Sequence, residues 1–160
     1  MKQNNWLTVI FILLMVAGLK AQEVQEVKID QLLERVNTST DTIYVVNFWA
    51  TWCHPCVEEL PIFASDELHQ LNQPVKVLLV SLDFKSLKEK QLIPFVEKKA
   101  IKQEVLLVDE RNPNEWINKI DSSWSGAIPA TIVFNGGNKV FHEGELDLEQ
   151  LLAQINSINQ

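Results

Sequence analysis

The chain contains 160 residues, of which 46% are hydrophobic and 22% are charged, and its 21 acidic and 14 basic side chains give a net charge of −7. This composition is typical of a globular protein and excludes collagen-like, disordered and disulfide-stapled small proteins. Because Lys and Arg do not gather into a basic patch, we expect no nucleic-acid partner.

The first 21 residues have the three parts of a secretory signal peptide. Lys2 provides a positive start, residues 6–19 carry no charge, and Ala21 is the small residue that a signal peptidase requires before the cut. The apolar run is shorter than the roughly 20 residues of a membrane-spanning helix; an uncleaved membrane anchor is the alternative. We therefore predict an exported, periplasmic protein in which residues 22–160 form a single domain.

The first half of this domain is predicted to form a strand–helix–strand unit. Asp30 is a candidate N-cap for a helix whose apolar residues recur at helical spacing. The apolar run at residues 43–49 predicts a strand that is buried on both faces. A helical pattern covers residues 53–71, and residues 75–82 predict a second buried strand. A crossover of this length predicts that the two strands are parallel and that the unit is right-handed.

The second half is predicted to add an insertion and a hairpin. Ser86 is a candidate cap for a short helix, and Pro94 suits the first turn of another that ends near Ala100. The remaining elements are a strand at residues 105–108, a short helix at 115–120, a hairpin with strands at 130–134 and 139–141, and a final helix capped by Asp147. We therefore predict an α/β fold, with helices on both faces of a mixed central sheet and an inserted strand–helix segment between the βαβ and ββα halves.

The two cysteines, Cys53 and Cys56, lie where the first buried strand gives way to a helix, with His54 and Pro55 between them. Unpaired backbone N–H groups and the positive end of the helix dipole favour a thiolate at this position. Three residues of helix bring the two sulfurs within reach of each other, and Pro55 suits the first turn because its missing N–H needs no partner there. A permanent disulfide across so short a loop contributes only ~2 kcal/mol, so the pair favours redox chemistry over a structural bond. Two thiols and three scattered histidines do not provide the four ligands of a structural zinc site, so we expect no metal.

The cysteine pair ends a longer motif that resembles the thioredoxin superfamily, Asn47-Phe-Trp-Ala-Thr-Trp-Cys-His-Pro-Cys56. The next five residues, Val57-Glu-Glu-Leu-Pro61, together with the predicted export signal, resemble the exported TlpA/ResA-like thiol–disulfide oxidoreductases. The resemblance extends from Ile43 to the C-terminus and implies a thioredoxin-like fold. It also implies that the site needs no cofactor other than a redox-active disulfide between Cys53 and Cys56.

The resemblance assigns roles to residues around the cysteines. It implies that Cys53 is the exposed nucleophile that attacks a substrate disulfide and that Cys56 resolves the mixed disulfide. Ile128 and Pro129 resemble the cis-proline loop of the family, which implies that Ile128 pairs with an extended substrate segment as an added strand. The alternative is a trans proline that enters an edge strand. Trp52 is expected to belong to the docking surface beside the nucleophile.

Glu59 is the candidate acceptor for the Cys56 proton, because it lies three residues after Cys56 on the same helical face. Asn47 stands where thioredoxin has a buried Asp and cannot accept a proton, whereas similar enzymes carry Glu at the position of Glu59. The alternative is a surface carboxylate that complements the helix N-terminus. His54 and Pro55 are expected to modulate the reduction potential in opposite directions: a protonated His54 favours an oxidant, and Pro55 is what reducing relatives carry.

The remaining tryptophans and histidines have structural interpretations. Trp49 is expected in the core, and His69 and His142 are expected at the surface. Trp124 precedes the predicted cis-proline loop and has two interpretations, a residue that lines the substrate groove or a core aromatic that fixes the insertion. Pro61 is expected to kink the active-site helix, since it removes one helical hydrogen bond.

We therefore predict an exported thiol–disulfide oxidoreductase that reduces protein disulfides, with apocytochrome c cysteines or other periplasmic thiols as candidate targets. Because the chain has only two cysteines, it needs an outside electron donor, and the resemblance implies a membrane thiol transporter. We expect a monomer. The alternatives are an oxidase or isomerase of the same fold, a Cu(I) or other metal carrier that uses both thiolates, and a non-catalytic binding domain. A peroxidase is disfavoured because the Pro-x-x-x-Thr-x-x-Cys pattern is absent.

Overall fold

The computed structural model describes residues 23–38 and 41–158. The predicted signal peptide or anchor, residues 1–21, lies outside these ranges. Within them, no helix is both long enough and apolar enough to cross a membrane.

A mixed sheet of six strands forms the centre of the described chain. The strands are β1 (Gln25–Val27), β2 (Ile43–Trp49), β3 (Val75–Ser81), β4 (Glu104–Val108), β5 (Ala130–Asn135) and β6 (Asn138–Glu143). Their order across the sheet is β1-β4-β3-β2-β5-β6. The first four in this order run parallel, and β5 and β6 run antiparallel to their neighbours. The carboxyl ends of β2 and β3 therefore meet at one edge of the sheet.

Helices cover both faces of this sheet, as the sequence predicts. They are α1 (Ile29–Asn37), α2 (His54–Glu59), α3 (Ile93–Lys98), α4 (Ile117–Ile120) and α5 (Leu148–Ser157). Shorter helical turns, of the 3₁₀ type at Leu60–Ala64, Asp66–His69, Lys85–Leu87 and Pro113–Glu115 and of the π type at Lys88–Leu92, connect them.

Two apolar clusters, one on each face, hold these layers together. Because successive residues of a strand point to opposite faces, Trp49 and Phe48 of β2 enter different clusters. Trp49 packs in the cluster that contains both cysteines and the buried residues of α5. Phe48 packs with the buried residues of α1 and with Trp116 and Trp124. Strand β2 is therefore buried on both faces, as its continuous apolar run predicts, and Trp49 lies in the core as expected.

Several local predictions are confirmed. Strands β2 and β3 pair in parallel, with Trp49 opposite Ser81. The hairpin pairs Asn135 with Asn138, and Gly136 adopts a positive φ in the turn between them. Asp147 caps α5, since its side chain accepts a hydrogen bond from the backbone N–H of Gln150 at 2.8 Å. Pro94 lies in the first turn of α3.

Other local predictions are wrong. The helix predicted for residues 53–71 is interrupted: α2 ends at Glu59, and two 3₁₀ turns replace the kinked helix expected at Pro61. A proline has no N–H for the helical ladder, and here the backbone tightens where that donor is missing. Ser86 lies inside the turn at Lys85–Leu87 and does not cap it.

The start of α1 also differs from the prediction. Lys28 is the N-cap, and Asp30 lies in the first turn, where its carboxylate pairs with Lys119 at 2.7 Å. An acceptor from a distant part of the chain satisfies one N–H at the start of this helix: the backbone N–H of Ile29 donates to Oε1 of Glu110 at 3.1 Å. Strand β1 precedes this helix and was not predicted, because three residues are too few to show an alternating pattern.

Candidate active site

The two cysteines occupy the start of α2, at the edge of the sheet where β2 and β3 end. Cys53 is the N-cap of α2 and has an extended backbone, and Pro55 lies in the first turn. The Cα atoms of Cys53 and Cys56 are 5.3 Å apart, and their sulfurs are bonded to each other. The spacing of the motif therefore brings the two sulfurs together as predicted.

The backbone provides a hydrogen-bond donor to the first sulfur. The N–H of Cys56 donates to Sγ of Cys53 at 3.3 Å, and the carbonyl oxygen of Ile128 lies 3.8 Å from the same sulfur. An N–H directed at a sulfur stabilises the thiolate more than the thiol, because the negative charge strengthens the bond. This arrangement therefore favours Cys53 as the sulfur that carries the charge after reduction.

The two cysteines differ in their access to solvent. In the disulfide form Cys53 retains 6% of its accessible surface and Cys56 retains none. Cys53 is thus less exposed than predicted, because the disulfide packs into the same apolar cluster as Trp49. Of the two cysteines, Cys53 is nevertheless the one that retains accessible surface.

The loop opposite the disulfide contains a cis peptide bond between Ile128 and Pro129. Pro129 is buried, Ile128 is half-buried and Ala127 is exposed. The carbonyl of Pro129 accepts a hydrogen bond from the N–H of Gly144 at 2.9 Å, which ties the loop to the end of β6. The structure therefore brings Ile128 and Cys53 together, and leaves the loop's outer side accessible.

Trp124 lies in the core beneath this loop. Its ring packs at 4.7 Å from the ring of Phe48 and at 5.7 Å from that of Trp116, measured between centroids. Its Nε1–H donates to the carbonyl oxygen of Ala127 at 2.8 Å. With only 4% of its surface accessible, Trp124 does not line a groove; the position fits the alternative interpretation, a core aromatic that supports the loop.

Glu59 is buried on the same face of α2 as Cys56. Its Oε1 accepts a hydrogen bond from Nδ2 of Asn47 at 2.8 Å, and its Oε2 accepts one from the backbone N–H of Leu146 at 2.9 Å. The interpretation of Glu59 as a surface carboxylate is therefore wrong. Among the described residues, no Lys or Arg forms an ion pair with Glu59 within 4.0 Å.

Burial dominates the electrostatics of Glu59. Removal of the carboxyl from water raises its pKa, and the negative charge of Glu145 acts in the same direction, whereas the hydrogen bonds from Leu146 and Asn47 lower it. The net effect is a raised pKa. A carboxylate whose pKa is raised is a stronger base than an ordinary surface carboxylate, and Glu59 lies one helical turn from the buried Cys56.

His54 and Trp52 lie on the outer side of the site. Nδ1 of His54 is 3.2 Å from the carboxylate of Glu58, and both side chains are exposed. Trp52, immediately before the nucleophile, is also exposed. His69 is exposed as predicted, whereas His142 is only half-exposed, with Nε2 3.2 Å from the carbonyl oxygen of Glu145. No group of three or more His, Cys, Asp or Glu side chains in the two described ranges could hold a metal ion.

A buried group that was not predicted from the sequence holds the turn before Cys53. The carboxylate of Asp83 accepts hydrogen bonds from the N–H and the Oγ1–H of Thr51, at 3.0 and 2.6 Å, and from the Oγ–H of Ser81 at 2.8 Å. Gln91, on the π-helical turn, donates to Oγ1 of Thr51 at 2.6 Å. A signal was available: an Asp two residues after the end of β3 must lie beside Thr51, which is two residues after the end of the parallel strand β2.

Replacing Asp83 with Asn is expected to lower the free energy of unfolding by about 1–3 kcal/mol. The NH₂ group of the new side chain cannot accept a hydrogen bond, so donors on Thr51 or Ser81 lose their acceptor. Urea titration measures this difference. Thr51→Ser keeps both donors, and we expect it to change the free energy of unfolding by less than about 0.5 kcal/mol. An Asp83→Asn protein as stable as the unaltered chain would show that these hydrogen bonds do not hold the turn.

Comparison with known proteins identifies the family. Residues 17–142 match the AhpC/TSA family. The thiol–disulfide oxidoreductase ResA of Oceanobacillus iheyensis is 26% identical over 141 residues, which cover 82% of this chain and 68% of that protein.

Two solved structures share the fold. A thioredoxin-related protein from Neisseria meningitidis serogroup B has a TM-score of 0.62 and 20% identity, over 76% of this chain and 87% of that one. StoA from Bacillus subtilis has a TM-score of 0.53 and 21% identity, over 73% of this chain and 84% of that one. The family match covers most of the chain, and the bonded cysteine pair lies at the expected edge of a thioredoxin-like sheet. The chain therefore belongs to the AhpC/TSA family, within which it is a thiol–disulfide oxidoreductase.

Proposed function

We propose that this protein is an exported reductase of protein disulfides, with Cys53 as nucleophile and Cys56 as resolving thiol. The observation that carries the proposal is the difference between the two sulfurs. Of the two cysteines, Cys53 retains accessible surface and accepts a backbone N–H, whereas Cys56 is fully buried, three residues before the buried carboxylate of Glu59. These are the conditions that an attacking and a resolving thiol require.

The exchange proceeds in two balanced steps. The Cys53 thiolate attacks one sulfur of the substrate disulfide; that S–S bond breaks, one substrate cysteine leaves as a thiolate, and Cys53 becomes bonded to the other. Cys56 then loses its proton to Glu59 and attacks the Cys53 sulfur, which releases the second substrate cysteine as a thiolate. Two electrons have passed to the substrate, and the Cys53–Cys56 disulfide has formed.

The Ile128–Pro129 loop is proposed to hold the substrate during this exchange. The backbone of Ile128 lies beside the Cys53 sulfur, and an extended substrate segment that pairs with it as an added strand brings its own disulfide to the nucleophile. Such pairing is independent of side chains, which suits an enzyme that acts on several proteins.

The cycle needs a partner that returns the electrons. The chain has two cysteines, and both belong to the disulfide, so it contains no second dithiol for an internal relay. We propose that a membrane thiol transporter is the donor, that apocytochrome c cysteines are among the targets, and that residues 1–21 direct export to the periplasm as a signal peptide or an anchor.

A second candidate, an oxidase or isomerase of the same fold, is favoured by His54 between the cysteines. A protonated imidazole beside Cys53 would stabilise the reduced form. In the structure the His54 ring is exposed and lies 3.2 Å from the exposed carboxylate of Glu58.

The reduction potential distinguishes the two candidates. Equilibration of the folded domain with glutathione buffers is expected to give a reduction potential of about −270 mV, as for reducing thioredoxins. A potential of about −120 mV, typical of strong oxidants, would contradict the reductase proposal. Stoichiometric copper on the isolated protein without disulfide reduction would instead favour the metal carrier.

A further inference from the structure

The described chain exposes two large apolar side chains far more than any others, one immediately before Cys53 and one on the turn that follows β3. Trp52 is 60% exposed and Phe84 is 69% exposed. Trp52 precedes the nucleophile, and its part in docking is already expected, whereas Phe84 has no role in the chemistry described above. An exposed aromatic ring on a well-held turn is more informative than a scattered surface Leu, because such rings are typical of binding surfaces.

Hydrogen bonds place the two aromatic residues on adjacent turns. Trp52 follows Thr51, Phe84 follows Asp83, and the Asp83 carboxylate accepts two hydrogen bonds from Thr51. The N–H of Leu82 also donates to the carbonyl oxygen of Trp49 at 2.8 Å, which extends the pairing of β2 with β3 beyond the ends of the strands. The turns that carry Trp52 and Phe84 are therefore fixed to each other through backbone and buried side-chain contacts.

The charges next to Phe84 are paired within the protein. Nζ of Lys85 is 2.6 Å from the carboxylate of Glu26 and 3.1 Å from that of Asp109, and Lys88 also contacts Glu26. These cations are therefore already compensated. What the surface offers a partner at this point is apolar area and not an unpaired charge.

We propose that Trp52 and Phe84 form one docking surface, the aromatic pair, for an apolar stretch of the protein that carries the substrate disulfide. The proposal rests on the proposed function and deepens it. Its basis is continuity with the site: the aromatic pair begins one residue before Cys53, on the edge of the sheet where β2 and β3 end. A substrate segment bonded to Cys53 and held by Ile128 lies next to this surface.

The test compares a protein disulfide with a small one. In Phe84→Ser, kcat/KM for insulin reduction is expected to fall about tenfold, since burial of a Phe ring contributes that order of binding. The kcat/KM for hydroxyethyl disulfide, which is too small to reach Phe84, and the reduction potential are expected to stay unchanged. Ser86→Ala, an exposed change in the same turn, is the matched control and is expected to affect neither substrate.

Other outcomes would overturn the proposal. Unchanged insulin reduction in Phe84→Ser, or an equal loss with both disulfides, would show that the ring does not dock the protein substrate. Sedimentation equilibrium addresses a second copy of the chain: a dimer that Phe84→Ser dissociates would make the aromatic pair a self-association surface. If the unaltered protein reduces neither disulfide, it is the proposed function that fails.

Discussion

Replacement of Cys56 with Ser is expected to leave substrate proteins attached to Cys53 as mixed disulfides, in the ratio of ~1 partner per chain. The attack by Cys53 remains intact, but no internal thiol can displace the bound protein, so turnover stops after one exchange. Replacement of Cys53 with Ser is expected to trap nothing, because Cys56 has no accessible surface. Non-reducing electrophoresis of the affinity-purified variants measures the difference.

The expected difference between the two variants depends on the burial of Cys56. Cys56 is packed with Trp49 and Leu60 and the buried residues of α5, and a protein disulfide cannot approach it without displacing that cluster. Equal trapping by the two variants would contradict the assignment of nucleophile and resolving thiol. Mass spectrometry of the trapped proteins would also show whether apocytochrome c and a membrane thiol transporter are among the partners.

The strongest predictions from the sequence concern features in which one local pattern has one physical solution. The apolar run at residues 43–49 can be satisfied only by a strand covered on both faces, and β2 is such a strand. Cysteines three residues apart at a helix start must approach each other, and they are bonded. Asp147 is predicted to cap the last helix, and it does; the structure adds a reciprocal hydrogen bond to Gln150.

The failures concern features that tertiary contacts decide. Asp30 has a good capping side chain, but the residues that satisfy the start of α1 include Glu110, which is distant in the sequence. Pro61 indicates a kink in the helical pattern of residues 53–71, but it does not show that two 3₁₀ turns replace the helix after Glu59. The contacts of Asp83 with Thr51 join residues 32 positions apart, and only the parallel pairing of β2 with β3 brings them together.

Glu59 combines a feature that the local pattern predicts with one that tertiary contacts decide. Helical spacing correctly places it on the face of Cys56, but spacing cannot show whether that face is buried. Its burial depends on Asn47 of β2 and on Leu146 before α5, which donate to its two oxygens. These contacts decide between a surface carboxylate and a buried base.

Replacement of Glu59 with Gln is expected to slow the resolution step about 100-fold near neutral pH and to leave the attack by Cys53 unchanged. Cys56 is fully buried, so bulk water cannot take its proton, and a positioned base contributes about 10²–10⁴ in rate. With bis(thionitrobenzoate) disulfide as the probe, attack by Cys53 releases one thionitrobenzoate and attack by Cys56 releases the other. The second phase of absorbance therefore reports the role of Glu59.

Glu58→Gln is the matched control for this experiment, since it makes the same chemical change one residue earlier on an exposed side chain. It is expected to change neither phase. Slowing of both phases alike in Glu59→Gln would indicate a disturbed helix, and an unchanged second phase would show that another group takes the Cys56 proton.

The same substitution is expected to change how stability depends on pH, in a direction that follows from the raised pKa of Glu59. Its unfolded-state value is near 4.5, and burial raises the pKa in the folded state. As the pH rises through this interval, the unfolded chain loses its proton before the folded one, so the contribution of Glu59 to stability falls and becomes constant above the folded-state pKa.

The Gln side chain of the Glu59→Gln variant does not titrate. Its carbonyl oxygen can still accept a hydrogen bond from the N–H of Leu146. After rotation of the Asn47 amide, its NH₂ can donate to Oδ1 of Asn47, which has no partner in the described chain. Urea titrations from about pH 4 upward should therefore show Glu59→Gln gaining stability relative to the unaltered chain. A difference that is independent of pH would mean that Glu59 does not carry the raised pKa that its role as a base requires.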